Sequence, residues 1–242
     1  MQNRACKPLL FSFVIYIAVF SIVVLNIKEV AMAGITEQNI NRQNSSINLP
    51  DIEQAPKGSL EQLLQTRRSK RSFTADKLSL SELSRLLFAA QGKTHPRGYR
   101  TAPSAGALYP LEVFLVAGEV ETLKPGIYRY VPDSHELIHL ADGDQRRDLA
   151  QAALRQNWIA QAPAIIVICA VYERVTGKYG QRGIQYVHIE SGCAAQNLCL
   201  QAVDLNLGTT LVGAFDDSKI QKIIQAKTQE QPLLVIPVGE PR

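Results

Sequence analysis

The feature of the sequence that most restricts its fold is a long stretch, residues 186–207, that is apolar around almost its whole circumference when drawn as a helix. Its apolar members leave no polar face: Ala194, Ala195, Leu198, Leu200, Ala202, Val203 and Leu205. A helix of this kind is buried on all sides, either inside a large core or at an interface between subunits. The sequence therefore predicts a long central helix covered by the rest of the chain or by a second copy.

The elements around this helix mix helices with hairpins and isolated strands. Capping-box patterns begin helices at Ser59 and Ser79, an amphipathic pattern predicts one at residues 144–156, and Asp216 can cap a short one. Strands are predicted at residues 111–117, 126–130, 136–140, 164–172, 209–215 and 233–238. We therefore expect an α+β fold in which helices flank a central, mainly antiparallel sheet.

The first 33 residues differ in composition from the rest of the chain. Arg4 and Lys7 precede a nearly uncharged run, residues 9–27, and Ala-Met-Ala follows at residues 31–33. A basic start, an apolar stretch and an Ala-x-Ala end are typical of a secretory signal peptide. The run also has about the roughly 20 residues that span a bilayer, so an uncleaved anchor is the alternative. We expect an exported protein, periplasmic or extracytoplasmic, with membrane attachment through residues 9–27 if the segment is not cleaved.

Residues 34–57 are rich in Asn, Gln and Ser and predict a flexible linker, which leaves residues 58–242 as the folded domain. The net charge of +4 is mild and evenly spread, which argues against nucleic acid binding. The four histidines form no metal-binding motif, so no metal site is expected. Neither a dinucleotide-binding glycine motif nor a phosphate-binding loop of the GxxxxGK type occurs.

Two segments carry residue types suited to binding a phosphorylated ring compound. Residues 67–71, Arg-Arg-Ser-Lys-Arg, place four cations and a hydroxyl together, and arginine is well suited to phosphate. The alternative is a solvated basic turn at a helix C-terminus, which the helix dipole also favours. Residues 102–110 set small residues between two prolines, giving a stiff segment that a flat ring can approach closely, or simply a turn before a strand.

These segments belong to a set of motifs that resembles the nitroreductase-like flavoproteins, and within them the SagB-type dehydrogenases. The motifs are RRSKRSF (67–73), PSAGALYPLE (103–112), KYGQRGIQYVHIESG (178–192), AQNLCLQA (195–202), LGTTLVGAFDD (207–217) and IPVGEP (236–241). Ala107 departs from the Asn that many nitroreductases carry at this place, which argues for the SagB-type branch.

The resemblance implies a nitroreductase-like fold, FMN as the cofactor and a homodimer whose long central helices pack together. It assigns the FMN phosphate and ribityl chain to Arg67, Arg68, Ser69 and Arg71. It also implies that four residues of the partner subunit lie along the isoalloxazine: Pro103, Ser104, Ala105 and Gly106. Near the reactive edge of the ring it places Leu211, Val212 and Gly213.

The resemblance also makes Lys178 and Tyr179 the candidate catalytic pair, in which the tyrosine removes a proton while the flavin accepts hydride. A phenol becomes a usable base near neutral pH when an ammonium group lies beside it. Neighbours in sequence need not point the same way, however, and the alternative is a surface lysine beside a half-buried tyrosine.

The expected function is therefore that of an FMN-dependent oxidoreductase that transfers hydride between flavin N5 and an organic substrate, either a small molecule or a peptide, as SagB-type dehydrogenases do. The alternatives are an NAD(P)H-dependent reductase of nitro groups or quinones, and a flavin-binding protein without catalytic activity.

Overall fold

The computed structural model describes residues 58–242. The signal segment of residues 1–33 and the linker of residues 34–57 lie outside the described residues. Within residues 58–242 no helix is long and apolar enough to cross a membrane. The described part of the chain therefore lends no support to the expected transmembrane segment, signal peptide or membrane attachment.

A six-stranded antiparallel sheet organises the described part of the chain, with strand order β3-β2-β1-β4-β6-β5. The strands are β1 Leu111–Ala117, β2 Gly126–Val131, β3 Glu136–Asp142, β4 Ala164–Ala170, β5 Gly208–Thr209 and β6 Gln231–Gly239. The continuous apolar run of β4 is explained by its position, since it lies between two other strands and is buried on both faces.

Helices cover both faces of the sheet. They are α1 Leu60–Thr66, α2 Leu80–Gln91, α3 Arg146–Ala152, α4 Glu173–Tyr179, α5 Arg182–Asp204 and α6 Asp217–Ile223. Helix α2 begins with the predicted capping box, in which Ser79 and Glu82 bond each other's backbone amides. Helices α2 and α5 pack over one face, and α3 and α6 over the other. The expected α+β fold is confirmed.

The long helix α5 differs from the sequence expectation in its burial. One face packs into the core of its own chain, through Val187, Ala194, Ala195, Leu198, Cys199 and Ala202 among others. The opposite face leaves Ile189 62% exposed and Cys193 and Leu200 half-buried. A single chain therefore covers this helix on one side only.

One local prediction was wrong, and one helix was missed. The strand expected at residues 209–215 is reduced to Gly208–Thr209 and a single bridge between Val212 and Val235. Between them, Thr210 donates its hydroxyl to the Lys70 carbonyl at 2.7 Å, which ties this segment to the basic segment. Helix α4 was not predicted, because it is only seven residues long and contains Thr176 and Gly177, which are weak helix formers.

Candidate active site

The residues that the sequence singled out form two groups at opposite ends of the sheet. The basic segment 67–71 lies beside Gly208 and Thr209, next to the end of the sheet at which β4 begins. Residues 210–213 run on toward the middle of β4, since Val212 pairs with Val235. Residues 103–107 and 178–179 lie where β4 ends, because Leu111 pairs with Ala170. The seven residues of β4 separate the two ends by about 20 Å at the usual rise per residue. Within one chain the basic segment and the turn at residues 103–107 therefore do not meet.

The first group is held together by backbone contacts. The Lys70 amide donates to the Thr209 carbonyl at 2.9 Å, and Ser69 forms a parallel bridge with Thr209. A Cβ on Gly208 would lie 2.7 Å from Lys70 Cβ, so a larger residue there would force the segments apart. The basic segment is thus fixed to the start of the 208–213 segment.

The cations of this group have different surroundings. Arg68 Nη1 donates to the carbonyls of Gln65 and Arg67, at 3.0 and 2.8 Å, and so satisfies free carbonyls at the C-terminus of α1. Arg71 lies over the Trp158 ring, 5.9 Å from its centre. Across the described residues, none of the cations at 67–71 pairs with a carboxylate. The positive charge of this segment is left uncompensated, as an anion site requires.

The Leu211-Val212-Gly213 segment departs from the expectation at its central residue. Val212 exchanges two 2.9 Å backbone hydrogen bonds with Val235, and its side chain is 5% exposed and packs in the core. Leu211 is 42% exposed, and Gly213 is exposed as well. Of the three residues, only Leu211 and Gly213 are therefore accessible to a ligand.

The second group is built on a turn with an unusual backbone. Gly106, Ala107 and Tyr109 have φ values of 62°, 53° and 44°, a left-handed region that side chains other than glycine rarely adopt. Three contacts hold Tyr109 there. Its amide donates to Ser104 Oγ at 2.9 Å, its carbonyl accepts from Arg174 Nη1 at 2.8 Å, and its ring lies 4.6 Å from the Arg100 guanidinium. Strained backbone that is held in this way is typical of functional sites.

Lys178 and Tyr179 both reach this turn from the last turn of α4. A Cβ built on Gly106 would lie 2.8 Å from Tyr179 Oη and 3.1 Å from Lys178 Nζ. The lysine ammonium is also 5.3 Å from the centre of the Tyr179 ring, whose other neighbour is the Tyr186 ring in an edge-on contact. Although the two residues are adjacent in sequence, their polar atoms converge on the same glycine.

A chain of ion pairs that sequence reasoning missed anchors α4 on the sheet. Arg174 donates to one carboxylate oxygen of Glu112 at 2.5 Å, and Arg129 donates to the other at 2.9 Å. Arg129 also forms a bidentate salt bridge with Glu230. Although burial opposes it, hydrogen bonds from Arg129 and from the Lys227 amide hold the pKa of Glu230 below its usual value. The chain links β6, β2 and β1 to the helix that carries the catalytic candidates.

A second missed residue, Glu190, lies beneath the turn. It is 2% exposed on the inner face of α5. Burial raises the pKa of Glu190 to about 7, against the opposing effects of the Ser104 hydroxyl, the Arg100 charge and the Gln91 amide. The sequence carried a signal for it, because Glu190 is one of only two acidic residues in the apolar stretch 186–207, and the other, Asp204, lies near its end.

Known proteins are similar to this chain over most of its length. The model of the nitroreductase family matches residues 64–240. The chain is 48% identical over 193 residues to a protein of Methanocaldococcus jannaschii named as a nitroreductase, covering 80% of this chain and 95% of that protein. A crystal structure from Ralstonia eutropha, also described as a nitroreductase, is 26% identical with a TM-score of 0.67, over 80% of this chain and 88% of that one.

The microcin B17-processing protein McbC of Escherichia coli is a more distant relative. It is 28% identical over 169 residues, covering 66% of this chain, and the match spans 61% of McbC, less than two thirds of its length. The family that the motifs indicated is confirmed. With the family model matching most of its length, the chain belongs to the nitroreductase family, whose members are oxidoreductases.

Proposed function

We propose that this protein binds FMN and transfers hydride between the flavin and an organic substrate, with Tyr179 as the proton-accepting residue and Lys178 beside it. The observation that carries the proposal is the convergence of Tyr179 Oη and Lys178 Nζ on Gly106, a glycine in a strained turn. A purely structural lysine-tyrosine pair would not require its two polar atoms to reach one backbone position.

The residues of both groups fit FMN. The uncompensated cations of the 67–71 segment suit a phosphate, and Arg67, Ser69 and Arg71 would hold it without losing a salt bridge. Arg68 would have to leave the α1 carbonyls to join them. Residues 103–106 carry no long side chain that would keep a flat ring away from the turn. When bound, FMN supplies a ring that can accept or give up a hydride.

The separation of the two groups supports a site shared between two subunits. Strand β4 puts about 20 Å between the two ends of the sheet, and a second copy that brings its Ser104 turn beside the basic segment would let one FMN contact both. The exposed face of α5, with Ile189 at its centre, offers a surface for such a dimer. The proposed active unit is a homodimer.

The chemistry proposed for this chain is proton removal at Tyr179 Oη. Lys178 Nζ lies 5.3 Å from the centre of the half-buried Tyr179 ring, and the Tyr186 ring packs edge-on against that ring. These two contacts fix the phenol beside the turn, where a positioned side chain can take a proton from a bound substrate. Similarity to McbC, a microcin B17-processing protein, favours a dehydrogenase acting on a peptide-derived substrate.

The alternative is an NAD(P)H-dependent reductase of nitro groups or quinones. It is favoured by the 48% identity to the protein named as a nitroreductase, which exceeds the identity to McbC. Such a reductase needs no protein base, because the acceptor can take its proton from water.

One experiment separates the two functions. The purified protein is reconstituted with FMN, and the loss of flavin absorbance is followed after addition of NADH, NADPH or an azoline-containing peptide under anaerobic conditions. We expect bleaching by the azoline peptide and much slower bleaching by both nicotinamides. Rapid bleaching by a nicotinamide alone would favour the reductase, and failure to bind FMN would refute both.

A further inference from the structure

Buried polar atoms without partners are concentrated near the turn. In the part of the chain that the structure describes, three such side-chain atoms occur: Gln91 Nε2, Glu190 Oε1 and Ser191 Oγ. Folded proteins leave few buried polar atoms unpaired, so each of these calls for a physical reason. Gln91 and Glu190 both lie close to the Ser104 turn, since Gln91 Oε1 binds Arg100 at 2.9 Å and Arg100 covers the Tyr109 ring.

The charges that act on Glu190 are few. Arg100 is the charged group whose field reaches it from the loop, and the Ser104 hydroxyl and the Gln91 amide face it from the turn and from α2. One helical turn away on α5 lie Tyr186 and Cys193. Lys178 and Tyr179 reach Gly106 from α4.

The hydrogen bonds of Ser104 decide what a change at Glu190 would do. The Ser104 oxygen already accepts the Tyr109 amide, and its hydroxyl has a single proton to donate. An ionised Glu190 carboxylate only accepts, so it draws that proton inward. A protonated Glu190 donates its own proton to Ser104 Oγ, which leaves the Ser104 proton free to point outward.

We propose that Glu190 is a positioning residue that decides whether Ser104 donates its hydroxyl proton to a flavin ring bound on the turn. The proposal rests on the FMN-binding function proposed above. It gives a reason for a buried acid on the inner face of α5, where the Ser104 hydroxyl approaches its carboxyl from the turn and the Gln91 amide approaches it from α2.

The two states of Glu190 are both populated near neutrality. Burial raises the pKa of Glu190 to about 7. Below this value the protonated form prevails and Ser104 donates to the ring, whereas above it the carboxylate retains the Ser104 proton. Binding of FMN is therefore expected to weaken as the pH rises through about 7.

The test measures the FMN dissociation constant, by quenching of flavin fluorescence, and the absorption spectrum of the bound flavin between about pH 5.5 and 8.5. In the unaltered protein we expect the dissociation constant to rise about three- to tenfold across this range, the worth of one hydrogen bond. Glu190→Gln is nearly isosteric, and its amide donates permanently to Ser104 Oγ. It should bind FMN as the unaltered protein does at low pH, with no change over the range.

Two further variants complete the test. Ser104→Ala removes the donor, so it should bind FMN at every pH as the unaltered protein does at high pH. Ser191→Ala alters the neighbouring buried hydroxyl and should keep the full pH dependence. If Glu190→Gln or Ser104→Ala retains the pH dependence, or if Ser191→Ala abolishes it, the proposal is overturned. An unaltered protein that does not bind FMN at any pH would instead refute the proposed function itself.

Discussion

Arg174 donates a 2.8 Å hydrogen bond to the backbone carbonyl of Tyr109, and this contact joins the helix that carries Lys178 and Tyr179 to the strained turn. The same guanidinium binds Glu112, which Arg129 and Glu230 tie to the sheet. The position of the catalytic candidates relative to Gly106 thus depends on an arginine that touches neither of them.

Arg174→Ala should therefore reduce turnover without affecting the phosphate end of the site. Loss of a charge-assisted contact of this kind costs about 1–2 kcal/mol of unfolding free energy, at the lower end because the side chain is 41% exposed. Denaturant unfolding and steady-state kinetics measure the two effects. Arg85→Ala, which breaks the exposed pair with Asp204, is the matched control and should leave turnover unchanged. Equal kinetics in the two variants would show that the Tyr109 contact has no positioning role.

Gly106→Ala should lower turnover through a direct clash. The new Cβ would lie 2.8 Å from Tyr179 Oη and would displace the phenol, in addition to the cost of about 1 kcal/mol for alanine at a positive φ. Gly98→Ala is the control, because Gly98 also has a positive φ but a Cβ there would meet nothing within 4 Å. Both variants should lose similar stability on heating, and only Gly106→Ala should lose activity. A Gly98 variant that is equally inactive would argue against the clash.

Ile189→Asp should prevent dimerisation and, with it, FMN binding. Ile189 is 62% exposed on the outer face of α5, so the change adds a charge to the proposed interface without disturbing the core of the chain. Light scattering would then show a monomer, and circular dichroism would show unaltered secondary structure. Leu154→Asp, at a residue 65% exposed on another surface, should remain dimeric. A monomeric Ile189 variant that still binds FMN tightly would exclude a shared site.

Much of the fold could be predicted from the sequence, because local patterns carry it. The apolar alternation and turns placed β1 and the β2–β3 hairpin within two residues, and the uninterrupted apolar run of β4 indicated a central strand. Helix α5 begins four residues before the predicted start because Gly183, buried in its first turn, packs against the backbone of Thr176 in α4. Residues 182–185, Arg-Gly-Ile-Gln, do not continue the apolar pattern, so no pattern in the sequence indicated that the helix begins there.

The site was less accessible to sequence reasoning, because its geometry depends on contacts between distant residues. The motifs identified the basic segment and the Lys178-Tyr179 pair as candidate site residues. They did not indicate that these two lie at opposite ends of the sheet. The part of Glu190 could not be predicted, since Ser104 reaches it from a separate loop. The apolar pattern of the long helix would also have suggested Ala195 and Leu198 as residues of a dimer interface. Both are fully buried in the core of their own chain, so a charge at either position would unfold the protein instead.

Glu190 should also make stability depend on pH. Burial raises the pKa of Glu190 to about 7 from its ordinary value of 4.5, so the folded state binds the proton more tightly than the unfolded state. Stability is then fully retained below about pH 4.5 and is lost as the pH rises to about 7, by about 3 kcal/mol. The measurement is the difference in unfolding free energy between the unaltered protein and Glu190→Gln at several pH values. A difference that stays constant from about pH 4.5 to 7.5 would mean that Glu190 does not titrate in this window.

The most direct test of the proposed chemistry is the turnover of Tyr179→Phe, compared with the unaltered protein at equal FMN content. The substitution removes one hydroxyl from a half-buried ring and should leave both the fold and FMN binding intact. If Tyr179 Oη takes the substrate proton, turnover should fall by about 10²–10⁴, the usual worth of a general base. A Tyr179→Phe protein that binds FMN normally and turns over its best substrate at the unaltered rate would contradict the proposed role.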